Sequence, residues 1–109
     1  MEKRSYLAGK KFKQVRDAMQ TKEGERMTLV RFAKDYPHLG WSTIAGLEAG
    51  SKRISAEVAY KLARFMGMGS RGSLLFVLLV LLDKGESPAY RKALRGIIGE
   101  LYGKSAIPR

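Results

Sequence analysis

The sequence has no cysteine and only one histidine, which limits the chemistry that its side chains can perform. Without cysteine, the chain forms no disulfides, thiolate metal sites or cysteine nucleophiles. His38 lies in a predicted turn without an evident partner, and the acidic residues Asp35, Glu48 and Glu57 are not clustered. Because neither a metal-ligand set nor an acid/base constellation is present, we expect a protein that is not an enzyme and that needs no metal or cofactor.

Long apolar segments are also missing. The longest uninterrupted apolar run, residues 74–82, has nine residues, whereas about 20 are needed to span a bilayer. The charged residues 1–5 are not followed by the apolar core of a signal peptide. We therefore expect a soluble, cytoplasmic protein with no membrane partner.

Negative charge is scarce relative to positive charge. Ten Asp and Glu residues accompany 21 Lys and Arg residues, so the formal net charge is +11. The excess is spread along the chain, which favours a positive field over a whole compact domain that attracts polyanions. Nucleic acid is the first candidate partner, and an anionic membrane surface or an acidic protein is the alternative.

Apolar residues recur at helical spacing through most of the chain, whose 109 residues suit a single domain. Thr28, Ser55 and Ser87 stand where helix N-caps are expected. Pro37 ends the second helix, and Gly50 suits the left-handed exit of the third. The pattern predicts helices over about residues 5–21, 29–36, 41–48, 56–66, 74–82 and 88–102.

The apolar run is the least certain of these elements, because periodicity alone does not separate strand from helix there. Six of its nine residues are leucine, which favours helix. Gly67 and Gly69 are expected to end the fourth helix, and residues 70–73 to lead into the run. Strand-like alternation is not found elsewhere, so the predicted fold class is all-α.

The second and third predicted helices are short, are separated by a tight turn at residues 37–40 and are followed by a basic loop. This is the arrangement of a helix-turn-helix. In the third helix, Ile44 and Leu47 share one face and can be buried. The other faces carry small or hydrogen-bonding residues, which are Ser42, Thr43, Ala45 and Gly46. Such a face can lie against another surface, and for a strongly basic chain the expected surface is a groove in DNA.

Residues 28–33, 42–50 and 55–67 carry a resemblance to a known family. Together they resemble the Cro/CI family, also called the XRE or lambda-repressor-like helix-turn-helix domain, over about residues 10–68. The resemblance implies sequence-specific binding to double-stranded DNA, usually as a dimer and in repression. The turn departs from the family pattern, because Pro37 replaces the usual glycine and the spacing from Ala33 to Ile44 is one residue longer.

The resemblance also implies roles for individual residues by their position. The base-facing positions are Trp41, Ser42, Thr43 and Gly46. The alternatives are that Trp41 packs over the turn and that Gly46 is a packing or close-approach position. Ser42 or Thr43 is also expected to be the N-cap of the third helix. The positions near phosphate are Thr28, Ser51, Lys52 and Arg53. Ala33, Ile44 and Leu47 correspond to core positions, and Glu48 to a structural polar residue that bonds locally or pairs with a basic group.

A helix that is apolar on every side must be covered on every side. The four helices that precede residues 74–82 are too small to enclose it alone, so we expect the final helix and a second copy of the chain to complete the cover. The predicted homodimer contacts are Leu75, Leu78, Leu79 and Leu82. The alternative is a core helix in a monomer.

These observations predict one domain, residues 1–109, in which a lambda-repressor-like helix-turn-helix bundle at 5–68 is followed by two additional C-terminal helices at 71–103. The predicted function is transcriptional regulation, as a repressor that binds DNA as a homodimer with the helix at 41–48 in the major groove. The alternative is a helix-turn-helix-derived adaptor or antitoxin-like protein. Such a protein would bind DNA weakly and a protein partner through its C-terminal helices.

Overall fold

The computed structural model describes residues 6–108, and the regular structure there is helical apart from one isolated β-bridge between Gln20 and Arg26. Its α-helices are α1 (Leu7–Ala18), α2 (Leu29–Asp35), α3 (Trp41–Ala49), α4 (Ala56–Phe65), α5 (Gly69–Lys84) and α6 (Pro88–Tyr102), followed by a short 3-10 helix (Lys104–Ala106). The predicted all-α class is confirmed. None of the helices in residues 6–108 has the length and apolar character required to cross a membrane.

Local signals in the sequence account for four helix ends. The hydroxyl of Thr28 accepts a hydrogen bond from the backbone N–H of Arg31 at 3.2 Å, and that of Ser55 accepts one from Val58 at 3.2 Å. Ser87 caps α6 in the same way. Gly50 follows α3 with φ of +82°, the left-handed conformation that glycine adopts most easily. These four positions confirm the predicted ends.

Two predicted boundaries are wrong. The first helix stops at Ala18, before residue 21, because Met19 turns into extended backbone and its carbonyl accepts a hydrogen bond from the N–H of Met27 at 3.1 Å. The predicted start at residue 5 lies outside the described residues. Residues 70–73 belong to α5, since the chain reverses at Gly67 and Gly69, whose φ angles are +79° and +71°, and α5 begins at Gly69.

Helix α5 forms the centre of the core and packs against α1, α4 and α6. Phe76, Leu79 and Val80 from α5 are buried together with Phe12 and Leu62. Residues 74–82 are thus helical, as predicted, and most of their surface is covered by the chain itself.

This packing corrects the predicted dimer contacts. Leu75, Leu79 and Leu82 are buried within the chain, at 6%, 0% and 0% exposure. The neighbouring helices enclose this side of α5 more completely than the sequence suggested, so these side chains are not available to a second copy. Leu78 is only partly buried. The most exposed leucine of α5 is Leu74, one helical turn before Leu78 on the same side of the helix.

The N-terminus of α1 is capped by a side chain that is distant in the sequence. The Asp83 carboxylate, at the end of α5, accepts hydrogen bonds from the backbone N–H of Leu7 at 2.8 Å and of Ala8 at 2.9 Å. Asp83 is almost fully buried, and Tyr6, at the N-cap position of α1, provides no side-chain cap. A carboxylate at a helix N-terminus also interacts favourably with the helix dipole.

Asp83→Asn should destabilise the fold, because the amide offers one acceptor oxygen and sets an N–H group against a backbone N–H. An unsatisfied buried donor costs about 1–3 kcal/mol. Urea unfolding followed by circular dichroism measures this loss. Glu100→Gln also replaces a carboxylate with an amide, but at an exposed position, and is the control. Equal midpoints for the two variants would contradict the assigned cap.

Candidate nucleic-acid interface

The position of α3 is set by its close contact with α1. A Cβ atom added to Gly9 would lie 2.2 Å from the carbonyl oxygen of Leu47, so the two helices approach more closely than any larger residue allows. Ile44 and Leu47 face this contact and are buried, as the sequence predicts. The burial of one face leaves the opposite side of α3 as the side that can meet a partner.

A buried ion pair fixes α3 to α1 and to the beginning of α2. The Nε and Nη2 atoms of Arg16 both donate to Oε1 of Glu48, at 2.9 and 2.7 Å. The Nη1 atom of Arg16 donates to the carbonyl oxygen of Met27 at 2.8 Å, immediately before the Thr28 cap. Arg16 is only 6% exposed. One guanidinium therefore holds three segments in a fixed relation, and Glu48 has the pairing role that the sequence predicted.

The leading end of α3 is exposed. Trp41 is 52% exposed and Ser42 is also exposed, while Thr43 is half-buried. Gly40 occupies the N-cap position, and no side chain in residues 6–108 caps this helix. The expectation that Ser42 or Thr43 would be the N-cap is wrong, because the longer turn places Gly40 there. The hydroxyl of Ser42 is consequently not used by the backbone of its own helix end.

Gly46 is not at the exposed surface, which corrects its predicted base-facing role. It is buried, and a Cβ atom there would lie 2.7 Å from Cγ and 2.9 Å from Cδ of Lys52. The missing side chain gives the Lys52 stem room to cross α3. Gly46 is thus a packing position.

The loop after α3 folds back over that helix. The carbonyl oxygen of Gly46 accepts hydrogen bonds from the backbone N–H of Ser51 at 2.8 Å and of Lys52 at 3.1 Å. The Ser51 hydroxyl donates to the same oxygen at 3.3 Å. The Lys52 Nζ atom then reaches the Ser42 hydroxyl and donates to it at 3.4 Å. The ammonium group is therefore carried from the end of α3 to its beginning.

The other predicted phosphate contacts are arranged differently. Arg53 is exposed and its guanidinium carbon lies 5.7 Å from the ring centre of Tyr6, at the start of α1. Thr28 is exposed, although its hydroxyl already caps α2. The structure thus brings Lys52 to Ser42 and directs Arg53 towards Tyr6. Sequence reasoning missed both arrangements, since each depends on the path of the loop.

Helix α2 contributes less free positive charge than its composition suggests. Arg31 pairs with Asp35 at 3.0 Å and with Glu23 at 3.6 Å. The hydrogen bond that Arg31 donates to Asp35, followed by the charges of Asp35 and Glu23, raises the pKa of Arg31. The guanidinium is therefore held by acidic neighbours. Lys52 and Arg53 supply the positive charge closest to α3.

The described residues contain no group of three or more His, Asp or Glu side chains that could hold a metal ion. The groups exposed on α3 and in the loop after it are the indole of Trp41, the hydroxyl of Ser42 and the cations of Lys52 and Arg53. Such groups bind a partner through direct contact and through charge.

Comparison with known proteins identifies no relative. No protein-family model matches the chain, and neither the curated proteins nor the solved structures contain a significant match. The resemblance to the Cro/CI family therefore stays a hypothesis that depends on the residues quoted above.

Gly9→Ala should destabilise the protein, because the added methyl group meets a backbone carbonyl that cannot move without shifting α3. Overpacking of this kind costs about 1–3 kcal/mol. Gly96→Ala, in α6, is the matched control, because its new Cβ atom meets nothing within 4 Å and should stabilise the helix by up to about 1 kcal/mol. Opposite shifts of the urea midpoint are expected. Shifts in the same direction would contradict the close contact between α1 and α3.

Proposed function

We propose that the protein is a sequence-specific DNA-binding regulator that acts in the cytoplasm, as a repressor, with α3 in the major groove. The observation that carries this proposal is the exposed leading end of α3, where Trp41 and Ser42 stand beside the ammonium group of Lys52. A major groove about 12 Å wide admits one helix. Residues at the leading end of a recognition helix are those that reach base edges.

Each exposed group at this end suits a different part of DNA. The indole of Trp41 can contact the methyl group of thymine, and the Ser42 hydroxyl can donate to or accept from a base edge. Lys52 and Arg53 can bind phosphate oxygens, which position the protein without reading sequence. Thr43 is partly covered and has the smaller share of this surface. Readout is thus expected from Trp41 and Ser42.

Lys52→Ala with Arg53→Ala should weaken binding to every duplex. Each lost phosphate contact lowers the slope of log K against log salt by about 0.9, so the pair lowers it by up to about 2. Fluorescence anisotropy at several salt concentrations measures the slope. Lys61→Ala with Arg64→Ala removes the same charge from exposed positions on α4 and is the control. An unchanged slope in the loop variant would exclude these phosphate contacts.

A second copy of the chain is the proposed partner for an apolar patch on α5 and α6. We call Leu74, Ile97 and Leu101 the hairpin patch; their exposures are 47%, 45% and 48%. The two helices are held antiparallel at this end, because Arg71 donates to the carbonyl of Leu101 and the Tyr102 hydroxyl donates to the carbonyl of Arg71 at 2.9 Å. Identical patches can pair about a two-fold axis.

Leu101→Glu should dissociate the homodimer, because pairing would bury two carboxylates without partners. Sedimentation equilibrium should show the monomer mass for this variant and twice that mass for the unmodified protein. Ala89→Glu, at an exposed position of the same helix, adds the same charge outside the hairpin patch and should keep the dimer. A folded Leu101→Glu protein with unchanged mass would refute the proposed interface.

The hairpin patch also favours a second candidate function, an adaptor or antitoxin-like protein that binds another protein and only weakly binds DNA. Selection of bound fragments from random duplexes separates the two candidates. A regulator enriches a motif with two half-sites about 34 Å apart. An adaptor enriches no motif, and its chain sediments as a monomer with or without Leu101→Glu.

A further inference from the structure

Helix α6 carries a basic flank that the helix-turn-helix does not use. Arg91, Lys92 and Arg95 line one open groove of about 380 Å³ together with Glu86 and Pro88. Lys92 and Arg95 are exposed, and no ion pair of theirs occurs among the described residues. With one carboxylate against three cations, the groove has a net positive charge.

Arg91 is partly held in place by the turn that precedes α6. A Cβ atom at Gly85 would lie 2.9 Å from the ring of Tyr90 and 3.0 Å from Cγ of Arg91, so the arginine stem packs over the glycine. Its Nε atom is enclosed and has no hydrogen-bond partner in the described part of the chain. A side chain that is already ordered loses less entropy when it binds an anion.

A chain of contacts places this flank at the end of the molecule where the loop after α3 lies. Lys52 and Arg53 line one small cavity together with Asp83, at the end of α5. Asp83 uses its carboxylate to cap α1, which offsets part of the negative charge there. The turn at Gly85 follows, and Arg91 packs on that turn. Two cationic segments distant in sequence therefore both lie near the end of α5.

We propose that Arg91, Lys92 and Arg95 form a second phosphate-binding surface, which contacts the same DNA duplex as α3. This inference rests on the proposed function. The ligand groups are backbone phosphates, because three cations on a helix flank present donors for anionic oxygens and α6 is not the helix that the proposal places in the major groove. The contacts strengthen binding to all sequences and lengthen the protected stretch of backbone.

The test uses the full chain and a labelled duplex of about 30 base pairs, roughly three helical turns. Lys92→Ala with Arg95→Ala is compared with Lys61→Ala with Arg64→Ala. Both pairs remove one lysine and one arginine, three residues apart, from exposed helical positions, so the net charge changes equally. The salt slope of binding and hydroxyl-radical protection of the DNA backbone are measured for each folded variant.

The α6 variant should lower the salt slope by up to about 2 and lose backbone protection at one edge of the footprint, with an unchanged preferred sequence. The α4 control should keep the full footprint. If the two variants behave alike while Lys52→Ala with Arg53→Ala still lowers the slope, the α6 surface is excluded and the proposed function stands. If the unmodified protein protects no duplex, the proposed function fails.

Discussion

The orientation of α3 relative to α1 is the constraint on which the proposed interface depends. Two different forces set it. At Gly9 the backbones touch, so the distance is fixed by repulsion, and at Arg16 a buried guanidinium fixes the direction through Glu48 and the carbonyl of Met27. Desolvation of both charges offsets much of the attraction within such a pair. Its main effect is therefore geometric: it selects one arrangement of α1, α2 and α3 rather than adding much net stability.

The C-terminal helices are part of this arrangement. Helix α5 provides the apolar surface against which α1 and α4 pack, and its last turn supplies the Asp83 carboxylate that caps α1. The position of α1, which fixes α3, therefore depends on Asp83, a residue more than seventy positions along the chain from the start of α1. A disturbance at the hairpin patch is expected to reach α3 through α5, which couples the proposed dimer contact to the proposed DNA contact.

Local features such as helix caps were predictable from sequence, whereas particular contacts between distant segments were not. Thr28 and Ser55 cap the helices that the pattern predicted, because a cap bonds three residues away along the chain. The cap from Asp83 and the cover of Gly46 by the Lys52 stem were missed, since each depends on a contact that only the folded path creates. Gly46 matches a family position that faces DNA, yet here the Lys52 stem covers it. The location of the candidate surface on α3 was predictable from sequence, whereas which of its residues are exposed there was not.

The distribution of charge explains how a basic chain can present a specific surface. Acidic residues pair with basic ones among the first three helices: Glu48 holds Arg16, and Asp35 holds Arg31. These pairs fix geometry and reduce the positive field over α2. Lys52 and Arg53, in the loop after α3, have no ion pair among the described residues and can meet a partner. Under the proposed function, the long-range field of these charges guides the encounter with DNA, and direct contacts from α3 select the sequence.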